Sequence, residues 1–247
     1  MKILGIIPSR YASTRLPAKP LVMIKGKSMV QRVYEQTSKS KLLSKVVVAT
    51  DHEEIYRHVT AFGGEVCMTS TDHASGTDRC YEALSLQEEK YDYVINVQGD
   101  EPFIQPDQID LLAKVLDGKT EIATLVKAIV TLDELINPSE AKVVVNRRGE
   151  ALYFSRSMIP FVNKAPQEQW LDKHTFFKHV GMYAYRCDVL KEISNLHVSA
   201  LEKAESLEQL RWLENGFRVT VVETETESFA IDTPADLDKA SQMIEHL

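Results

Sequence analysis

This sequence predicts an α/β fold: a doubly wound, mainly parallel sheet with an antiparallel or mixed insertion in its second half. Three observations lead there. Short apolar runs alternate with helix-period patterns through the first 130 or so residues, in the order β-α-β-α-β with short links. The runs at 3–8, 45–50 and 93–98 are rich in Ile and Val with few polar interruptions, as strands buried on both faces require. After residue 135 the runs at 142–145, 151–155 and 178–185 are separated by turns and one long loop instead of full helices, which suits hairpin-like or mixed pairing.

Each element has a local reason. Residues 3–8 are the first strand, and after a polar loop Ser28 is placed to cap a helix reaching about residue 39, with Met29, Val30, Val33 and Tyr34 on its apolar stripe. Residues 45–50 form the second strand. Asp51 then reads as the cap of a helix ending near Phe62, and Gly63-Gly64 closes it before a strand at 65–68. The polar loop 69–77 opens onto a helix at 78–88. The strand at 93–98 stops at Gly99-Asp100-Glu101-Pro102, Pro106 opens a helix to about 116, and 122–127 is a further strand. In the second half a helix over 205–215 is ended by Gly216. A strand at 217–222, and a helix from 233 with Pro234 in its first turn, return to the core. With no internal repeat or low-complexity linker, the chain reads as one domain, its core formed by 1–135 and 217–247 and its insertion by 136–216.

Composition narrows the partners. The 247 residues, 44% hydrophobic and 26% charged, suit one large globular domain. The apolar run at 3–7 is too short for a signal-peptide core or a membrane span, so a cytoplasmic protein without a membrane partner is expected. Cys67, Cys80 and Cys187 are an odd number without C-x-x-C spacing, which argues against disulfides and a thiolate zinc site. A net charge of −7 disfavours nucleic acid. Up to Tyr34, however, there are seven cations and no acid. The remaining 22 basic side chains face all 36 acids, a net of −14. A positive segment on an acidic chain suits a small anionic ligand.

The segment 8–20 leaves the carboxyl end of the first strand and carries Arg10, Arg15 and Lys19 among hydroxyls and backbone amides. Such a loop can wrap a triphosphate, although charged surface loops are also common. Gly26-Lys27-Ser28 lacks the first glycine of a phosphate-binding P-loop, since Leu21 stands there. No G-x-G-x-x-G follows the first strand, and neither H-E-x-x-H nor G-x-S-x-G is present. Asp100 follows a buried strand directly, and Asp232 ends the apolar stretch Phe229-Ala230-Ile231 just before a helix. Carboxylates at those places suit Mg²⁺ shared with phosphates, while Asp232 equally suits a helix cap. The polar segment 72–79 could hold a base edge or a phosphate. Alternation puts His179, Gly181, Tyr183 and Tyr185 on one strand face, either a floor for a polyol or a buried tyrosine layer. Arg156 is either a carboxylate clamp or a surface ion pair. In 205–216, Leu207, Leu210, Trp212 and Leu213 read as core, with Glu208 and Gln209 at its edge.

Taken in order, the segments 7–21, 72–79, 96–102, 153–156, 178–186, 205–211 and 231–237 closely resemble the 3-deoxy-manno-octulosonate cytidylyltransferase (CMP-Kdo synthetase) family and span nearly the whole chain. The resemblance implies a nucleotide-diphospho-sugar transferase fold and the reaction of CTP with the 3-deoxy-ulosonic acid Kdo to give CMP-Kdo and pyrophosphate, for bacterial lipopolysaccharide biosynthesis. It also implies a homodimer built through the 136–216 part, which would carry the sugar site. Arg10, Arg15 and Lys19 would hold the triphosphate, and Ser75, Gly76, Arg79 and Gln98 would position CTP. Asp100 and Asp232 would bind Mg²⁺. Gln98, Arg156, His179, Tyr183, Tyr185, Glu208 and Gln209 would surround the sugar acid. Lys19, Arg10 and Asp100 would carry the chemistry. Where the family's first motif usually has glycine this chain has Ala18, and Ala12 replaces another frequent glycine. A cytidylyltransferase for a different acidic sugar, or a nucleotide-binding regulator without turnover, are the rivals.

Overall fold

The computed structural model describes residues 1–13, 16–227 and 229–244, and its chain forms two compact units, 1–113 with 228–247 and 114–227. In the first unit, strand β1 (Ile3–Ser9) is buried along almost its whole length. The loop after it ends in a small hairpin, β2 (Met23–Ile24) and β3 (Lys27–Ser28), whose turn puts Lys25 and Gly26 at φ of 45° and 81°. Gly26 therefore makes a hairpin turn rather than a phosphate loop. Helix α1 (Met29–Thr37) follows at once, capped as expected by Ser28, whose Oγ accepts from the Gln31 amide at 3.2 Å.

The alternation continues through β4 (Lys45–Thr50), α2 (Glu53–Ala61), β5 (Val66–Met68), α3 (Gly76–Ser85), β6 (Tyr93–Asn96) and α4 (Pro106–Ala113). Two local expectations change. The cap of α2 is His52, whose ring Nδ1 accepts from the Glu54 amide, and not Asp51. Helix α3 starts two residues before 78 because Ser75 and Asp78 form a reciprocal capping box.

The parallel strands of this unit run β6-β1-β4-β5, with Ile6 of β1 in register with Val47 on one side and Asn96 on the other. The chain moves outward from β1 through β4 to β5, then returns to the opposite side of β1 for β6. The loops leaving β1 and β6 therefore diverge, and a crevice opens at their carboxyl ends.

The second unit holds β7 (Ile122–Ala128), α5 (Leu132–Ile136), β8 (Lys142–Val145), β9 (Ala151–Ser155), α6 (Trp170–Lys173), β10 (Phe177–Arg186), α7 (Cys187–Ile193), α8 (Ala200–Glu205), α9 (Gln209–Glu214) and β11 (Val219–Glu223). Here β7 pairs in parallel with β11 and antiparallel with β10, while β8 pairs antiparallel with both β10 and β9. Strands β7 and β11, expected to belong with the first core, thus fall in the second unit, which moves the division to Ala113 and Ser228. The helix expected at 205–215 is shorter, Gln209–Glu214, because α8 ends at Glu205 with Ser206 in a left-handed conformation at φ 52° before α9 begins. Short helices α5 to α8 also occupy segments where the sequence suggests only turns and loop; with four to seven residues each, they are too brief for an amphipathic period to register.

Helix α10 (Pro234–Ile244) returns to the first unit. Ile231 and Ala240 pack with Leu16, Ile24 and Met29 in one apolar cluster, which seats the segment before α10 against the loop that follows β1. Among the described residues no disulfide joins the cysteines, and no helix is long and apolar enough to cross a membrane.

Candidate active site

A cavity of about 400 Å³ opens at the carboxyl ends of β1 and β6. Its walls come from four segments: Pro8, Ser9, Arg10, Ser13, Lys19 and Pro20; His73 to Gly76 with Arg79; Gln98 to Asp100; and Asp232. Gly99 is what lets the loop after β6 cross the end of β1, since a Cβ there would stand 2.7 Å from the Pro8 carbonyl oxygen.

The most polar feature of this cavity is an ammonium between two carboxylates. Lys19 Nζ donates to Asp100 Oδ2 at 2.7 Å and to Asp232 Oδ1 at 2.9 Å. Lys19 begins a single 3₁₀ turn (Lys19–Leu21), reached through Ala18 in a left-handed conformation with φ 49°. Asp100 and Asp232 are brought together by the apolar cluster beneath α10 and by a backbone bond from the Ile231 amide to the Asp100 carbonyl, 2.9 Å. Capping of α10 falls to Thr233 and Asp236: Thr233 Oγ1 accepts from the Asp236 amide, and Asp236 Oδ2 accepts from the Thr233 amide at 2.9 Å. The Asp232 side chain points to Lys19 instead.

This pair fits a hard divalent cation. Two carboxylates on facing loops converge on one positive charge, and both offer oxygen. Mg²⁺ is commonly held by one or two carboxylates, its remaining positions filled by substrate phosphates and water. Accordingly, no cluster of three or more His, Cys, Asp or Glu side chains suited to a metal occurs among the described residues.

Across the cavity, α3 presents its N-terminus. The Ser75 hydroxyl accepts from the Asp78 amide at 3.1 Å, so it is engaged in capping. A Cβ on Gly76 would meet nothing nearer than Pro8 Cγ at 3.6 Å, an ordinary contact, so packing alone does not demand glycine here. Arg79 is buried, donating to Asp51 Oδ2 at 2.9 Å and Thr69 Oγ1 at 2.6 Å. His73 is paired with Glu82, which also accepts from the Ser70 amide at 2.8 Å. Burial works against the Glu82 charge, but the Ser70 amide and His73 outweigh it and hold the carboxyl below its usual range.

In the second unit, His179, Tyr183 and Tyr185 do share one face of β10. The register slips between Val180 and Tyr183, where two extra residues enter the strand. Two insertions preserve a two-residue period, so simple alternation still puts the three rings together. His179 and Tyr183 have ring centroids 5.1 Å apart, and Tyr183 and Tyr185 stack at 5.8 Å. Both tyrosines are buried and meet the edge of Trp212, the arrangement of an aromatic layer. His179 Nε2 lies 3.0 Å from Thr124 Oγ1, and burial lowers its pKa to about 4. Gln209 is buried with no protein partner for its side-chain nitrogen, and Glu208 accepts from Arg211 at 3.3 Å. The Arg156 guanidinium donates to the carbonyls of Glu205, Pro138 and Ser206 at 2.7, 3.0 and 3.2 Å. These bonds make it a strut between loops rather than a partner in a surface ion pair.

Residues 4–242 match a family of cytidylyltransferases. The chain is 56% identical to a 3-deoxy-manno-octulosonate cytidylyltransferase of Parabacteroides distasonis over 97% of each protein, and 55% identical to that of Bacteroides thetaiotaomicron over 100% of this chain and 99% of the relative. The chain belongs to the 3-deoxy-manno-octulosonate cytidylyltransferase family. A solved structure of CMP:2-keto-3-deoxy-manno-octonic acid synthetase complexed with CTP shares its fold, with a TM-score of 0.93 and 44% identity over the whole of both chains. The α/β nucleotidyltransferase architecture expected from the sequence is therefore the one this family member has.

For a member of this family, one cavity gathers Arg10, Lys19, Ser75, Gly76, Arg79, Gln98, Asp100 and Asp232 out of the positions singled out in the sequence. Arg15 lies outside the described residues. Gln98 belongs to the first unit, whereas Arg156, His179, Tyr183, Tyr185, Glu208 and Gln209 belong to the second. Sequence reasoning does not single out Thr69 or Glu82 and treats His73 only within the polar segment 72–79; Asp51, an acid at the carboxyl end of a buried parallel strand, reads there as a helix cap.

Proposed function

We propose that this chain catalyses the reaction of CTP with 3-deoxy-D-manno-octulosonate to give CMP-Kdo and pyrophosphate, in the cytoplasm and for lipopolysaccharide synthesis. The observation that carries the proposal is the Asp100–Lys19–Asp232 group, set at the switch point of the sheet in a chain of this family. The anomeric hydroxyl oxygen of the sugar acid attacks the α-phosphorus of CTP, the bond to the bridging oxygen breaks, and pyrophosphate leaves in line. No enzyme nucleophile is needed.

Arg10 and Lys19 supply positive charge where the phosphates and the departing pyrophosphate carry negative charge. Asp100 and Asp232 would hold Mg²⁺, which when bound neutralises phosphate charge so that two anionic substrates can approach. The backbone at the start of α3 offers amides, and Gly76 gives room beside them. In the second unit His179, neutral at pH 7, and Gln209 offer hydrogen-bonding groups to the hydroxyls of the sugar acid. Exposed apolar side chains there, Val130, Leu152 and Phe161, support a homodimer formed through that unit, which light scattering would test.

The deciding assay is pyrophosphate release with CTP, Mg²⁺ and a panel of sugar acids. Release with Kdo at the highest kcat/KM is the expected result. Preference for another acid would move the substrate within the same reaction class. CTP binding without release from any acid would favour a regulator.

A further inference from the structure

We propose that Asp51 is a positioning residue for the nucleotide half of this site, an inference that rests on the cytidylyltransferase function proposed above. Asp51 takes no part in the cavity wall, yet its two carboxylate oxygens are divided between two elements that do. Oδ1 accepts from the Tyr11 amide at 2.9 Å, and Tyr11 follows Arg10 at the start of the basic loop. Oδ2 accepts from Arg79 at 2.9 Å, and Arg79 lines the cavity from α3. One short side chain thereby sets the relative position of two cations that belong to different segments.

The anchor itself is stiff. Asp51 directly follows the last residue of β4, Thr50, whose carbonyl accepts from both the amide and the hydroxyl of Thr69, at 2.8 and 3.1 Å. Thr69 Oγ1 in turn accepts from Arg79 at 2.6 Å. Thr50, Asp51, Arg79 and Thr69 close a ring in which each polar group is held by the next. The pair is well screened from water, with side-chain exposures of 4% for Arg79 and 10% for Asp51. Removing one partner of such a pair strands the other and lets it reorient. Helix capping does not account for the acid, because His52 caps α2.

The test compares Asp51→Asn and Asp51→Ala with the parent protein, by calorimetric titration with CTP in the absence of sugar acid and by steady-state pyrophosphate release. Asn can still accept from the Tyr11 amide but offers Arg79 no charge; Ala can do neither. The expected result is a Kd and KM for CTP raised about tenfold in Asp51→Asn and further in Asp51→Ala, with the KM for the sugar acid within about twofold of the parent. In an Arg79→Lys background, Asp51→Asn should add little more, because the two side chains act as one unit. The proposal is overturned if a folded Asp51→Asn protein binds CTP as the parent does and differs only in melting temperature, or if both KM values rise together. Should both variants fail to fold, Thr69→Val opens the ring without removing a charge and must still raise the KM for CTP alone. A parent protein that neither binds CTP nor releases pyrophosphate would instead remove the underlying function, and this proposal with it.

Discussion

Asp100 and Asp232 accept hydrogen bonds from the same ammonium, that of Lys19, although Lys19 and Asp232 are 213 residues apart in the chain. If the two carboxylates hold the divalent cation as proposed, lysine and metal would compete for one place. Lys19→Met should therefore bind Mn²⁺ about tenfold more tightly in the absence of nucleotide, because two carboxylates lose their internal counter-charge. Electron paramagnetic resonance of free Mn²⁺ measures this directly. Turnover should fall in the same variant, since the leaving pyrophosphate loses a neutralising group. Unchanged Mn²⁺ affinity would rule out the competition.

Asp100→Ala separates chemistry from folding. The side chain is 27% exposed and its partner is Lys19, so little packing is lost. Pyrophosphate release should fall at least about 10²–10³-fold, while the circular dichroism spectrum stays that of the parent. A fully active, Mg²⁺-dependent Asp100→Ala protein would sink the assignment of Asp100 to the metal and the reaction.

Ala18 adopts φ 49° immediately before Lys19, where glycine is usual in the family the sequence resembles. The left-handed region costs an L-residue about 1–2 kcal/mol, and the extra freedom of glycine in the unfolded chain returns about 0.4–1 kcal/mol of that. Ala18→Gly should accordingly stabilise by about 0.5–1 kcal/mol and raise the melting temperature by about 1–4 °C. A lower melting temperature would show that the backbone there carries no strain.

His179 makes stability fall with pH on the acid side. Its pKa is about 4 in the folded protein, because burial disfavours the charged ring, against about 6.5 in the unfolded chain. Between those values the unfolded chain binds more protons, so stability present at pH 7 is lost as pH drops from about 6.5 towards 4. The loss by pH 5 is on the order of 1–2 kcal/mol. His179→Gln should remove that part of the pH dependence, read as the difference in melting temperature between pH 7 and pH 5. An unaltered difference would mean that the ring is solvated.

Much of the fold was legible because its cues are local. Buried parallel strands read as runs of Ile and Val, and Ser28 sits three residues before the amide it caps. The face shared by His179, Tyr183 and Tyr185 was read correctly despite a bulge that was not foreseen, because an insertion of two residues keeps the parity of a strand. Asp51 was misread, since an acid ahead of a helix looks the same whether it caps that helix or reaches a distant arginine.

The basic loop, the acids at the ends of apolar stretches and the order of the motifs were properties of the sequence by itself, enough to point to a metal-assisted reaction of a triphosphate. Tertiary structure decided how those groups meet. It joined Lys19 to both acids, turned Asp232 away from capping, committed Arg156 to backbone carbonyls, and gave Arg79 a buried partner in Asp51. The physical reason is range. Strand and helix signals lie within a few residues of one another, whereas an ion pair depends on which loops the sheet order and the apolar cluster under α10 bring side by side.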